Sequence, residues 1–316
     1  MRVVNSVLEL IGETPVVKLR RVTEGLDAEI YVKLEYMNPS GSLKDRIALE
    51  MIRRAEGEGR LKPGYTIVEA STGNTGIALS MVGRALGYRV AIYMPEGTTP
   101  ERIKIMESFG AEVHLVKLRG GPRESLAGAE VEIPTREACL NLERSNPRVW
   151  WARQFSNPAN TSAHIKTGEE ILKQLGRVDA FVASVGTGGT LLGVAKALRC
   201  RIPNVRIVAV EPSSAEYPLK HGYRRVPGAC EEVTGGIIEE ILDGGVLDEV
   251  IQVSNEEAIA MSDRLVKEEG LFAGVSGGAN VYASVELAKS LGGQKRIVTV
   301  LPDSGDRYLT EKKYIT

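Results

Sequence analysis

One lysine stands where it could act as a nucleophilic amine. Lys44 follows a turn-forming run of Asn, Pro, Ser and Gly at residues 38–42 and precedes a helical pattern from Ile47 to Glu56. A lysine there lies at the positive end of the helix dipole, and Arg46 adds a second positive charge beside it. Both disfavour the ammonium form, which suits an amine that forms a Schiff base. A solvated surface lysine is the alternative that this pattern alone leaves open.

Small hydroxyl residues and glycines fill residues 71–76, Ser-Thr-Gly-Asn-Thr-Gly, which leave a predicted strand and open a predicted helix. Backbone N–H groups and hydroxyls at such a turn bind anions. A substrate carboxylate would fit there as well as a phosphate. An ordinary helix cap is the alternative interpretation.

A second glycine-rich turn, Gly186–Thr190, follows the predicted strand at 179–185. Glycines let the backbone approach a phosphate closely. Leu191 occupies the third glycine position of the dinucleotide pattern, and no Lys-Ser/Thr pair follows Gly193 as the Walker pattern requires. The turn therefore predicts a phosphate cradle for a ligand other than NAD or ATP.

Residues 274–278, Gly-Val-Ser-Gly-Gly, match the Gly-x-Ser-x-Gly nucleophile elbow of hydrolases. That fold needs its histidine after the serine, yet all three histidines precede Ser276. The pattern before the motif is also helical and not that of a strand. We therefore predict that Ser276 is a hydrogen-bonding residue at a helix start.

Short apolar runs alternate with helical patterns in two blocks of the chain, which predicts parallel βαβ units in an α/β protein. Such sheets bind ligands at the carboxyl ends of their strands. Residues 117–149, rich in Gly and Pro around one helical stretch, are expected to connect the blocks. Predicted strands cover 65–70, 89–94, 112–116, 179–185, 205–210 and 296–301, and predicted helices cover 47–56, 74–86, 100–109, 191–198, 256–269 and 279–290.

The composition of the chain excludes several functional classes of protein. The chain has 316 residues, 40 basic and 41 acidic side chains, and a formal charge of −1, so bulk charge recruits neither nucleic acid nor an anionic membrane. No segment resembles a membrane span or a signal peptide, and we expect a cytoplasmic protein. The three cysteines form no Cys-x-x-Cys pair and the histidines lie far apart, so we expect no catalytic metal.

Seven motifs together resemble the cysteine synthase and cystathionine β-synthase family of pyridoxal phosphate enzymes, of fold type II. The resemblance spans nearly the whole chain. It implies two domains, each with a mostly parallel sheet flanked by helices: a smaller, mobile, substrate-gripping domain at 1–12 and 36–157, and a larger cofactor-phosphate-binding domain at 13–35 and 158–316. The matching motifs lie at 12–15, 38–46, 71–76, 154–160, 186–190, 274–278 and 301–305.

The resemblance implies a role for each motif. Lys44 would form the Schiff base with pyridoxal 5'-phosphate and later move the α-proton of the substrate. Asn74 would hydrogen-bond the cofactor's phenolate oxygen, and Ser276 would face its pyridine nitrogen. The 5'-phosphate would be held by Gly186, Thr187, Gly188, Gly189 and Thr190, and the substrate carboxylate by Ser71, Thr72, Asn74, Thr75 and Gln154.

The implied reaction is a β-replacement that makes L-cysteine from an activated serine, O-acetylserine or O-phosphoserine, and sulfide, through an α-aminoacrylate. Members of the family are usually homodimers, and serine acetyltransferase is a candidate partner. Residues 228–240 depart from the family pattern at the site entrance, which leaves the donor open. The basic residues before them, among them Arg224 and Arg225, could bind the leaving phosphate of O-phosphoserine, or could form a solvated loop.

Other functions compete with this one. A cystathionine β-synthase-type condensation of serine with homocysteine uses the same fold, and a non-catalytic cofactor-binding regulatory protein could retain it. A serine or threonine dehydratase is less favoured because Thr187 and Thr190 interrupt the glycines. An NAD oxidoreductase is disfavoured by Leu191.

Overall fold

The computed structural model describes residues 3–118, 129–214, 219 and 236–309. These residues form two compact units. Unit 1 contains 3–11, 44–118, 129–160 and 236, and unit 2 contains 12–43, 161–214, 219 and 237–309. The α/β class predicted from the sequence is confirmed.

The strands are β1 (Val16–Lys18), β2 (Glu29–Leu34), β3 (Thr66–Ala70), β4 (Arg89–Pro95), β5 (Glu112–Val116), β6 (Val149–Trp151), β7 (Ala180–Ser184), β8 (Arg206–Pro212), β9 (Glu249–Val253) and β10 (Arg296–Leu301). The helices are α1 (Lys44–Gly57), α2 (Asn74–Ala85), α3 (Pro100–Ser108), α4 (Ala129–Ser145), α5 (Pro158–Leu175), α6 (Gly189–Arg199), α7 (Ile237–Asp243), α8 (Asn255–Arg264) and α9 (Val275–Leu291).

Unit 1 is built on a parallel four-stranded sheet in the order β5-β4-β3-β6. Ile67 of β3 packs with Ile52 of α1 around Gly83 of α2. The next residue, Val68, instead joins the core cluster that contains Cys139 of α4. Successive residues of a strand point to opposite faces, so helices cover both faces of this sheet.

Unit 2 contains a six-stranded sheet in the order β1-β2-β10-β7-β8-β9, in which β1 is antiparallel to β2 and the other pairs are parallel. Val182 of β7 belongs to a core cluster with residues of α8 and α9. Its neighbour Phe181 belongs to a second cluster with residues of α5, α6 and α7. Burial on both faces explains why β7 and β8 read as nearly continuous apolar runs.

Two sequence expectations differ from the observed chain path. Residues 117–149 are not simply a connection: α4 buries Cys139 and Leu140 in the core of unit 1, and β6 hydrogen-bonds beside β3. Residues 36–43, assigned from the sequence to the smaller domain, lie in unit 2. The Leu43 N–H donates to the Pro302 carbonyl at 2.9 Å, which ties this segment to the end of β10.

Candidate active site

Lys44 is the first residue of α1 in unit 1 and is half-buried. The turn that precedes it ends at Ser42 and Leu43, both buried. Asp45 and Arg46, the next two residues, are also buried. The turn-forming sequence therefore places a lysine at a helix N-terminus, as predicted, with a charged residue of each sign beside it.

The turn from β3 to α2 carries the predicted carboxylate-binding hydroxyls. The Oγ of Ser71 accepts the N–H groups of Gly73 at 3.2 Å and Gly76 at 3.0 Å, so its O–H remains able to donate to an anion. Thr72 and Asn74 follow, and no acidic residue stands in the first turn of α2. The Arg102 guanidinium donates to the Thr72 carbonyl at 3.2 Å. This turn therefore presents donors and positive dipole to an anion.

Gln154 lies against the same turn, although 79 positions separate it from Thr75. The Thr75 hydroxyl donates to Gln154 Oε1 at 2.6 Å, and Gln154 Nε2 donates to the Ala70 carbonyl at 2.9 Å. Both residues are almost fully buried. We call Ser71, Thr72, Asn74, Thr75 and Gln154 the hydroxyl-amide cluster; unit 1 brings all of them together.

The glycine loop, residues 186–190, joins β7 to α6 in unit 2. Gly188 caps α6 in the left-handed conformation, with φ 87°, and a Cβ atom there would lie 2.8 Å from Ile241 Cδ1. At Gly186 a Cβ would meet nothing within 4 Å. No acidic residue lies in the first turn of α6, so this turn itself places no negative charge beside its backbone N–H groups.

His164, a residue that the sequence did not assign to the site, contacts the glycine loop. It is fully buried, and its Nε2 lies 3.1 Å from Thr190 Oγ1. Its Nδ1 lies 3.2 Å from Thr167 Oγ1. The imidazole thereby fixes the hydroxyl of the last loop residue.

Ser276 is the second residue of α9 and is half-buried, and a helical turn at Leu265–Glu269, not a strand, precedes the motif. The nucleophile-elbow geometry is therefore absent here. Further along α9, the buried Asn280 accepts the Ser184 N–H at 2.7 Å and donates to the Val300 carbonyl at 2.9 Å. Asn280 thus joins the helix that carries Ser276 to the strand that leads into the glycine loop.

Sequence reasoning missed the buried carboxylate of Glu69 in unit 1. Glu69, the penultimate residue of β3, is fully buried and accepts three N–H groups. Burial raises the pKa of its carboxyl, while the hydrogen bonds and the Arg136 charge act in the opposite direction. The signal in the sequence was a single acidic residue inside an otherwise apolar strand.

The remaining sequence predictions concern metals, membranes and the leaving group. In the described ranges, no cluster of three or more His, Cys, Asp or Glu could hold a metal ion. None of the helices described is long and apolar enough to span a membrane. Arg224 and Arg225, the predicted leaving-group residues, lie outside the described residues.

Comparisons with known proteins place these features in context. The family described as "Pyridoxal-phosphate dependent enzyme" matches residues 7–303. A cysteine synthase of Staphylococcus aureus is 44% identical over 314 residues, covering 98% of this chain and 97% of that protein. A crystal structure of a cysteine synthase from Entamoeba histolytica is similar with a TM-score of 0.87 at 37% identity, covering 100% of this chain and 92% of the other. The structure of an O-ureido-L-serine synthase is similar with a TM-score of 0.85 at 38% identity, covering 99% and 96%.

Proposed function

Because the chain belongs to the pyridoxal-phosphate dependent enzyme family, we propose that it is a cysteine synthase, which makes L-cysteine from an activated serine and sulfide. The observation that carries this proposal is the hydroxyl-amide cluster. Its side chains meet at the N-terminus of α2, where the Thr75 hydroxyl donates to the Gln154 amide and orients it, in the same unit as the lysine that opens α1. This is the equipment needed to bind an amino acid by its carboxylate while a lysine amine works at its α-carbon.

The described residues fit pyridoxal 5'-phosphate. The glycine loop offers backbone N–H groups at the start of an 11-residue helix, and a side chain at Gly188 would collide with Ile241. Such a loop suits a dianionic phosphate. Ser276 offers a neutral hydroxyl for a ring nitrogen, and Asn74 offers an amide for a phenolate oxygen.

When bound, the cofactor supplies an electron sink for the α-carbon of the amino acid. Lys44 Nζ would bind the cofactor and then take the proton from the substrate α-carbon. Ser276 would leave the ring nitrogen less positive than a carboxylate would. That restraint favours loss of the β-substituent and its replacement by sulfide.

The donor is part of this proposal. Ser71, Thr72, Thr75 and Gln154 would bind the carboxylate that all serine derivatives share, so they do not select the leaving group. We assign that choice between O-acetylserine and O-phosphoserine to Arg224 and Arg225, whose guanidinium groups pair well with phosphate. Replacing both arginines by alanine should lower the ratio of activity with O-phosphoserine to activity with O-acetylserine. An unchanged ratio would remove this assignment.

The remaining proposals concern the setting of the enzyme. The family resemblance supports a homodimer, a serine acetyltransferase as candidate protein partner, and movement of the smaller domain when the substrate carboxylate binds. The scattered cysteines support a reducing cytoplasm. Light scattering of the purified protein tests the dimer: a mass near 34.2 kDa, that of one chain, would contradict it.

The decisive experiment measures cysteine formation by the cofactor-loaded protein with sulfide and each donor in turn. We expect activity with at least one donor and its loss in Lys44→Ala. Lys62→Ala, which removes an exposed lysine of the same unit, is the matched control and should retain activity. A loaded wild-type protein that makes cysteine from neither donor would overturn the proposal. The cystathionine β-synthase alternative is tested with serine and homocysteine in place of the activated donor and sulfide.

A further inference from the structure

Glu69 is a buried carboxylate held entirely by hydrogen-bond donors. Its Oε1 accepts the Trp151 indole N–H at 2.9 Å and the Ala70 backbone N–H at 2.8 Å. Its Oε2 accepts the Gln154 backbone N–H at 2.9 Å. All three partners donate, so the ionised form satisfies them, whereas an amide would place N–H hydrogens against another donor.

Such a group is costly to bury without a counter-charge. Arg136, itself buried, lowers the pKa of Glu69 through its charge, but its ion-pair partner is Glu132, and its guanidinium carbon lies 3.4 Å from the centre of the Phe155 ring. A buried carboxylate that accepts three N–H groups is an expensive arrangement for an ordinary strand residue. It indicates that the position of one of its partners matters.

Gln154 is the partner with a proposed role. Its backbone N–H binds Glu69, while its side chain bridges Thr75 and the Ala70 carbonyl. Glu69 and Gln154 therefore share two connections, one direct and one through Ala70, which donates to the first and accepts from the second.

The residue before Gln154 supports the same interpretation. Arg153 adopts the left-handed conformation with φ 54°, which is unfavourable for a residue with a side chain. This turn brings the Gln154 N–H to Glu69 and its side chain to Thr75. The strained turn at Arg153 and the buried carboxylate of Glu69 thus both fix the position of Gln154.

We propose that Glu69 is a positioning residue for the amino acid substrate: its carboxylate fixes the Gln154 backbone and thereby the Thr75–Gln154 pair that binds the substrate carboxylate. This inference rests on the proposed function, which assigns Gln154 to that carboxylate. Glu69 itself, fully buried, contacts no substrate.

The test compares Glu69→Gln with Glu56→Gln in the cofactor-loaded protein. Glu56 is a suitable control because it is a half-buried carboxylate of unit 1 that accepts the Tyr88 hydroxyl at 2.8 Å and pairs with Arg53, and neither partner belongs to the turn that carries Gln154. Binding of L-alanine, which has no β leaving group, is followed by the change in cofactor absorbance. We expect Glu69→Gln to weaken the binding of L-alanine about tenfold and to leave the KM for sulfide and the absorbance of the free enzyme unchanged. Glu56→Gln should stay within about twofold of wild type.

A second readout needs no cofactor. Amide hydrogen exchange of the peptide covering residues 152–156, measured on the cofactor-free protein, should be faster in Glu69→Gln than in the control. Equal exchange together with unchanged L-alanine affinity would overturn the inference. If Glu69→Gln does not fold, Glu69→Asp retains the charge but shortens the reach to Gln154. It should show the same loss of affinity, and wild-type affinity in that variant would also overturn the inference.

The outcomes separate this inference from the proposed function. A wild-type protein that binds L-alanine but makes no cysteine rejects the proposed function, while the affinity ratio still decides the role of Glu69. A wild-type protein that binds no amino acid at all overturns both.

Discussion

The Nε2 atom of His164 lies 3.1 Å from the hydroxyl oxygen of Thr190, and both side chains are buried in unit 2. The histidine comes from α5 and the threonine from the glycine loop at the start of α6. A hydroxyl held by an imidazole points in one fixed direction. If the glycine loop binds the cofactor phosphate, His164 sets one of its hydrogen bonds.

We therefore expect His164→Phe to weaken binding of pyridoxal phosphate about fivefold, the effect of one misdirected hydrogen bond. The dissociation constant is measured by adding the cofactor back to stripped protein. His114→Phe is the matched control, since His114 is an exposed histidine of unit 1 that stacks on Tyr93. In the double variant His164→Phe/Thr190→Val, the loss of cofactor affinity should be smaller than the sum of the losses in the two single variants. Full additivity would contradict the coupling between His164 and Thr190.

Thr75→Val tests the hydroxyl-amide cluster. Valine retains the shape of threonine but removes the 2.6 Å hydrogen bond to Gln154, so that the amide loses its fixed orientation. We expect the KM for the serine donor to rise about tenfold while the KM for sulfide stays unchanged. Thr135→Val removes another buried hydroxyl of unit 1, one that donates to the Glu132 carbonyl, and should change neither constant. Equal rises in both KM values would argue against a carboxylate role.

Gly188→Ala tests the backbone of the glycine loop. The left-handed φ of 87° and the close approach of Ile241 both oppose a side chain there. We expect a loss of roughly 1–2 kcal/mol in the free energy of unfolding, measured by denaturant titration. Gly186→Ala, two residues earlier in open space, should leave the stability within about 0.5 kcal/mol of wild type. Matching stabilities for the two variants would contradict the predicted strain.

Glu170→Ala tests a buried ion pair. Lys33 is fully buried, and its ammonium lies 2.8 Å from Glu170 Oε2, while the Glu170 side chain retains 19% exposure. Removing the carboxylate leaves a buried charge and should cost about 3 kcal/mol in the free energy of unfolding. Glu240→Ala breaks the exposed pair with Lys196 and should cost less than about 1 kcal/mol. Similar losses of unfolding free energy in Glu170→Ala and Glu240→Ala would show that the burial of Lys33 does not determine the contribution of its ion pair to stability.

Much of the fold could be predicted because strands buried on both faces alternate with amphipathic helices. The predicted strands at Glu112–Val116 and Arg296–Leu301 match the observed bounds. The same reasoning did not identify α5, because its buried positions include polar residues: Asn160, His164 and Thr167 are fully buried. Hydrophobic periodicity does not detect a helix whose buried face is polar.

The α5 face is polar for a reason that only the fold reveals. Gly193 of α6 approaches α5 so closely that a Cβ would lie 2.4 Å from the Thr161 carbonyl. His164 and Thr190 then meet across this contact. Within the candidate site, the sequence predicted the residues that lie in recognisable motifs. It did not predict Glu69 or His164, because their partners are distant in the chain and each alone resembles an ordinary core residue.

The position of β10 has a consequence for how the protein is synthesised. The last strand of the described residues, β10, lies at the centre of its sheet, with Arg296 opposite Glu29 of β2 and Ile297 opposite Ala180 of β7. The four strands of unit 1, in contrast, are complete by Trp151. During synthesis, all the strands of the unit 1 sheet are translated early. The edges of β2 and β7 that pair with β10 in the folded protein stay unpaired until β10 emerges from the ribosome. From the translation of β7 until the release of β10, the nascent chain therefore carries two strand edges whose native partner is missing, the kind of edge at which chains aggregate.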